Sequence, residues 1–292
     1  MSRSAVGAWL LRVVWVLQPL AFVPLLDDAT ATQSPAGRVI VSVAAWATWA
    51  VVLLATFLPT TVSLTVGRLL AAVGPFAVLV ASVGGSAPGW KVGVSLGAST
   101  LGALVWFSGE TGIALAQGSA YGAEERFPLK PPVPSMAPAV VSWLVLAAST
   151  LFAVVFLANE RWVVGIALLV LAGTGGWFVG PRFHQLSRRW IVVVPAGIVV
   201  HDPLLLVENQ LFRVPSLRAV HLAPAGTEAA DLTGGTAGLA VEIVLREADT
   251  VVKVGGPDQP RGVAIHVLSV LVAPTRPGRV LSAAAARKMP VG

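Results

Sequence analysis

Residues 39–58 run for twenty positions without a single charge. A helix rises about 1.5 Å per residue, so this run is about 30 Å long, the thickness of a bilayer's hydrocarbon core. In that core each backbone N–H and C=O needs a partner within the protein, and a lone helix satisfies its own. The run therefore predicts a transmembrane helix. Comparable apolar runs at residues 8–26, 64–83, 90–107, 138–158 and 162–180 predict six spans in all. The expected architecture is a membrane all-α bundle over residues 1–181, followed by a small β-rich domain over residues 182–292.

The charge distribution draws that boundary. Between Met1 and Ala120 the only charged side chains are Arg3, Arg12, Asp27, Asp28, Arg38, Arg68, Lys91 and Glu110. Beyond Pro181 charges return at near-ordinary density. The chain as a whole is 12% charged and 55% hydrophobic, with a mean hydropathy of +0.80, against about a quarter charged in soluble domains. The first apolar run contains Arg12, Gln18, Pro19 and Pro24, and no small-residue cleavage site follows it, so it reads as a retained helix rather than a signal peptide.

Loop charges predict orientation. One side carries Arg3, Arg68, Arg126, Lys130, Arg182, Arg188 and Arg189. The other carries Asp27, Asp28, Arg38, Lys91, Glu160 and Arg161. The basic excess places both termini in the cytoplasm of a multi-pass plasma-membrane protein. Trp90, Trp106, Trp143, Trp162 and Trp177 lie near span ends, as an aromatic belt requires, whereas Trp46 and Trp49 are expected inside the bundle. Arg68 is placed to snorkel to the interface. Gly93 and Gly97, and Gly173, Gly175 and Gly176, suit close helix packing. The two halves of the membrane region show no repeat of the inverted-transporter kind.

The longest loop, residues 108–137, contains Gly118, Gly122 and Tyr121, then Glu124, Glu125, Arg126 and Lys130, then Pro128, Pro131, Pro132 and Pro134. The prolines force an extended path. A solvated connector is the plainer reading, and a segment docked on the C-terminal domain or on a partner is the other. Glu110 has two readings as well. A helix continuing to Ala116 makes it an intramembrane carboxylate and so a functional candidate, whereas a helix ending at Ser108 leaves it wet.

In the C-terminal part, residues 190–194 and 198–201 flank Pro195-Ala196-Gly197 as a β-hairpin. Strands are expected at 205–214 and 217–222. A second hairpin is expected at 239–246 and 250–254 around Glu247-Ala248-Asp249, and a further strand at 263–272. A helix through residue 288 would be capped by Thr275, with Pro277 in its first turn. The stretch SRRWIVVVPAGIVVHD, directly after the last span, resembles the opening hairpin of bacterial pleckstrin-homology-like (PH-like) domains fused to membrane spans. Together with the loop AYGAEERFPLKPP, it resembles membrane proteins of actinobacteria with such a C-terminal domain. The resemblance covers about the last 110 residues. It implies a barrel closed by a C-terminal helix, and it brings no catalytic residues with it.

Catalytic chemistry finds little footing. The absence of cysteine removes disulfides, thiolate zinc sites and thiol nucleophiles. His184, His201, His221 and His266 show no metal-ligand spacing, and His201-Asp202 reads as a turn. Neither Gly234-Gly235 nor Gly255-Gly256 precedes a helix with a Lys-Ser/Thr pair, so no phosphate loop is expected. No enzyme activity, cofactor or metal is expected. The net charge of +6 lacks the basic stripe with interleaved aromatics that nucleic acid requires. The expected partners are the lipid bilayer and other membrane or cytoplasmic proteins. The strongest local pattern is a basic collar of Arg126, Lys130, Arg182, Arg188 and Arg189, suited to anionic lipid headgroups as well as to orientation. The expectation is a non-enzymatic membrane scaffold or accessory subunit. The alternative is a transporter or lipid-handling protein with a polar path near Glu110, Ser99 and Thr100.

Overall fold

The computed structural model describes residues 3–84, 87–256 and 258–292; the side chain of Arg3, counted in the orientation argument, lies outside what it describes. The chain forms two compact units. One comprises Met1–Leu115 with Ala139–Phe183, the other Ala116–Pro138 with His184–Gly292. The second unit thus takes in the loop before Ala139, and the chain passes between the units three times.

The first unit is helical. Helices α1 (Arg3–Val16) and α2 (Gln18–Ala29) form one apolar stretch that breaks at Leu17, where Pro19 enters the first turn of α2 without an N–H to donate. Helix α3 (Pro35–Phe57) starts on Ser34, whose hydroxyl accepts from the Gly37 N–H. Helices α4 (Thr61–Ala71) and α5 (Val73–Gly84) continue each other, and α6 (Gly89–Phe107) leads into α7 (Gly109–Gln117). Helices α8 (Val133–Ala158) and α9 (Trp162–Ser187) follow. Five stretches are long and apolar enough to cross a membrane: Gly7–Ala29, Pro35–Phe57, Thr61–Val83, Val133–Ala158 and Trp162–Ser187. Counting α6 and α7 as one span makes six, although that pair bends by 53°. The bend sits at Ser108, which ends α6 and caps α7 through its hydroxyl to the Thr111 N–H, 3.2 Å away.

The bundle core gathers Leu11, Trp15, Val52, Ala55, Leu64, Ala71, Trp106 and Leu115. Trp106 is fully buried and not in an interfacial belt. Its ring fits because Gly67 has no side chain: a β-carbon there would fall 2.1 Å from the ring. Trp15 and Trp49 exchange hydrogen bonds, each indole N–H donating to the other residue's carbonyl at 2.9 and 3.0 Å. Such mutual pairing satisfies two polar groups that lipid cannot. Trp46, expected inside, is 44% exposed and meets Phe22 and Trp49 edge-on.

The second unit carries two four-stranded sheets; among the described residues they do not close into the expected barrel. The first sheet orders β1 (Glu125–Pro128), β2 (Trp190–Val194), β3 (Gly197–His201) and β4 (Gln210–Arg213), all antiparallel. The second orders β5 (Leu217–Leu222), β7 (Val241–Lys253), β8 (Val263–Val272) and β6 (Ala230–Asp231). Strand β7 corrects the second expected hairpin. It is one long strand whose register against β8 shifts between Val244 and Asp249, so residues 245–248 bulge from the ladder with β8 where a turn was expected. The expected strand 205–214 shrinks to β4. Helix α10 (Pro277–Ala286) is preceded by Arg276 as its N-cap rather than by Thr275, and it packs on β1, β2 and β5. The chain's last residues cover the edge of β5, with the Val220 N–H donating to Pro290 and the Gly292 N–H to Val220.

The loop before Ala139 is therefore not a solvated connector. Residues 125–128 form the edge strand of the first sheet, in register Glu125↔Val193 to Pro128↔Trp190. The residues just beyond bond to the end of the second sheet: Lys130 N–H donates to Ala273 (2.8 Å) and Thr275 N–H to Pro128 (2.9 Å). The Gln117 amide clamps the start of β1, donating to the Glu124 carbonyl and accepting from the Arg126 N–H at 2.8 and 2.9 Å. Arg287, at the end of α10, donates to the Glu125 carboxylate at 2.5 Å and to the Ala123 carbonyl.

Candidate functional site

The five collar cations part company in the structure. Arg189 is 1% exposed. Its Nε and Nη2 donate to the two carboxylate oxygens of Asp202 at 2.7 and 2.5 Å, and Nη1 donates to the Lys130 carbonyl at 2.5 Å. A guanidinium with every edge occupied inside the protein is no headgroup ligand, which corrects that expectation. Arg126 is mostly buried, ion-paired to Glu124 at 2.6 Å, with its guanidinium 5.2 Å from the Trp190 ring centroid. Lys130 Nζ donates to the Ala237 carbonyl at 3.2 Å. Arg182 and Arg188 are exposed.

Asp202 is the residue the sequence argument passed over. The hairpin itself places it. With Trp190 opposite His201, one further step of register sets Arg189 opposite Asp202. His201 completes a stack, lying 4.8 Å from Trp190 at an interplanar angle of 21°. Its Nδ1–H donates to Asn209 Oδ1 at 2.5 Å, and its Nε2 is buried with no hydrogen-bond partner. Burial holds the imidazole below its ordinary range. The Asn209 bond and the Asp202 charge oppose that lowering, while Arg188 and Arg126 add to it.

Glu110 lies in the first turn of α7, where the helix N-terminus favours an acid. It is half-buried, beyond the end of α6, and lines a recess of about 320 Å³ with Gly7, Leu10 and Thr111. Ser99 lines a different, larger cavity that includes neither Glu110 nor Thr100. The residues expected to form one polar path are thus divided.

Two cations on candidate membrane-spanning helices share one arrangement. Arg12 Nε donates to the Thr56 carbonyl at 3.4 Å, with the guanidinium 4.8 Å from the Phe57 ring. Arg68 Nε donates to the Trp106 carbonyl at 3.3 Å, with the guanidinium 5.6 Å from the Phe107 ring. Each charge sits at the negative end of a helix, α3 or α6, over its terminal aromatic ring.

The larger cavity, of about 950 Å³, lies within the helical unit. It is bounded mainly by α2, α3, α4, α5, α6 and α8, with Trp15 of α1 and Phe183 of α9 also on its wall, which is mainly apolar. Among the described residues, no group of three or more His, Asp or Glu is disposed to hold a metal ion. Comparison of the chain with protein-family models, curated proteins and solved structures gives no match.

Proposed function

We propose that this chain is a non-enzymatic integral membrane scaffold or accessory subunit, with its β-rich unit in the cytoplasm contacting a partner protein or anionic lipid. The observation that carries this reading is the way residues 125–130, leaving the membrane half, are hydrogen-bonded to the edge of the first sheet and the end of the second. The β-unit is not a domain hung on one linker. Its fold includes a segment that comes from between two membrane helices. That is the construction expected of an anchored recognition module. Exposed Arg182 and Arg188 remain available to anionic headgroups, each worth about 1 kcal/mol near a membrane surface. The test is capture of the full chain from its own plasma membrane in mild detergent, followed by mass spectrometry. A defined protein partner retained by the wild type and lost on substituting exposed β-unit residues supports the reading. A chain that copurifies with no protein, and whose association with anionic vesicles is unchanged by Arg182→Ala with Arg188→Ala, removes it.

A lipid-handling role is the second reading, favoured by the 950 Å³ apolar cavity. A polar transport path through Glu110, Ser99 and Thr100 gains nothing from the geometry, because those residues do not line one space.

A further inference from the structure

The large cavity is framed by two specific contacts of α8. At one end the Trp143 indole N–H donates to the Leu69 carbonyl at 3.1 Å, and its ring meets Phe76 edge-on at 5.3 Å. At the other end Gly37 of α3 lies so close to the Ala158 carbonyl that no β-carbon would fit. The two contacts are fifteen residues apart on one helix, about 22 Å, which is most of a hydrocarbon core. The wall between them includes Ala147, Thr150 and Val154 of α8. A space held at both ends by an indole hydrogen bond and a glycine contact is a built feature of the bundle.

The polarity of that space is graded. Along its middle, the polar side chains are turned back onto helix carbonyls: Gln18 to Ala98, Thr48 to Ala44, Ser95 to Ala21 and Thr150 to Leu146, all at 2.8 Å. They offer the cavity little but apolar surface. At the Ala158 end the wall changes to Thr32, Gln33, Ser34, Asn159 and Glu160. Here Gln33 Oε1 is buried without a hydrogen-bond partner. Among the described residues, the other buried side-chain atoms left so, in Trp106, His201 and Thr275, are not on this wall. A buried acceptor left unpaired costs about 1–3 kcal/mol, which a donor reaching it would recover. Glu160, held at a left-handed φ of 62° in the α8–α9 turn, adds a carboxylate acceptor at the same end.

We infer that this cavity is the binding site of one lipid-type molecule. Its hydrocarbon chain occupies the space along α8 between Trp143 and Ala158, and a headgroup that donates hydrogen bonds, an amine or a hydroxyl, meets Gln33 and Glu160. The inference deepens the lipid-handling reading and rests on the same cavity. Occupancy is tested without a transport readout, so a filled cavity in a protein that moves nothing would discard the handling and keep the site.

The experiment uses the full chain in phosphatidylcholine nanodiscs, titrated with diazirine-acyl lipids bearing ethanolamine, glycerol or choline headgroups. Crosslinks are mapped by peptide. The expected result is saturable labelling of α8 between residues 143 and 158, near one lipid per chain, by the ethanolamine or the glycerol lipid, whichever supplies the donor. Choline, which has no N–H, should label only in proportion to its bulk amount. Ala147→Trp fills the space and should abolish the saturable part. Gln33→Leu removes the acceptor without filling the cavity and should weaken the preferred lipid about 5-fold, the effect of one net hydrogen bond, while leaving choline labelling unchanged. Labelling that never saturates, that is equal for all three headgroups, or that survives both substitutions overturns the site.

Discussion

Arg189 and Asp202 face each other across the open end of the β2–β3 hairpin in a two-point ion pair, with both side chains at or below 1% exposure. Because Arg189 also donates to the Lys130 carbonyl, the pair fastens the segment that enters from between the membrane helices. Removing one partner strands the other charge in the interior. Arg189→Ala or Asp202→Asn is expected to destabilise the β-unit by about 3–5 kcal/mol, whereas Arg188→Ala, on an exposed side chain, should change stability by less than about 0.5 kcal/mol. Denaturant unfolding of the full chain in detergent checks this, and equal effects at 188 and 189 would contradict it.

The half-buried ring of His201 gives the β-unit a pH dependence whose sign can be worked out. The folded state disfavours the protonated imidazole, while an unfolded histidine titrates near ~6.5. The contribution is therefore fully present above about pH 6.5 and is lost as pH falls from there through the lowered folded value. The expected observation is a melting temperature that drops between pH 7 and pH 5, with the slope reduced in His201→Phe, which keeps an aromatic ring on Trp190 but cannot titrate. Identical slopes in both proteins would refute the assignment.

Gly67 and Trp106 should behave as a coupled pair. Gly67→Ala drives a methyl group into a fully buried ring, and overpacking of that kind costs about 1–3 kcal/mol. In a Trp106→Phe background the same substitution should cost markedly less. A double-mutant cycle by thermal unfolding measures the coupling, and additive effects would show that the helices simply move apart.

Residues 116–138 are expected to be needed for the β-unit to fold. A fragment of residues 184–292 lacks β1 and the Lys130 carbonyl, so it leaves the β2 edge unpaired and one donor of Arg189 unmet. It should be poorly soluble or lack cooperative melting, and linking 116–138 ahead of it should restore both. A fragment that melts cooperatively without them would show that β1 is dispensable.

The native chain has no cysteine, so single introduced cysteines report sidedness cleanly. Ala31→Cys and Glu160→Cys should react with an impermeant maleimide on intact cells. Tyr121→Cys, at a position 84% exposed, should react only after permeabilisation. Labelling of Tyr121→Cys on intact cells would mean that the 53° bend between α6 and α7 turns the chain back without crossing.

What the sequence determined by itself was what depends on neighbours along the chain. A charge-free run such as 39–58 has one stable solution in a bilayer, and the β-branched runs on either side of Pro195-Ala196-Gly197 form a hairpin. The tertiary structure decided what depends on distant partners. Glu125 to Pro128 look like loop because four residues bounded by glycines and prolines have no local reason to extend into a sheet; β2, some sixty positions on, supplies the unpaired edge. The Asp202 carboxylate and the Lys130 carbonyl together made Arg189 an interior residue, although nothing in its immediate sequence distinguishes it from exposed Arg188. The cavity along α8 was likewise out of reach. Apolar spacing tells which faces avoid water, but only the packed contacts at Trp143 and Gly37 determine where helices touch and where they stand apart.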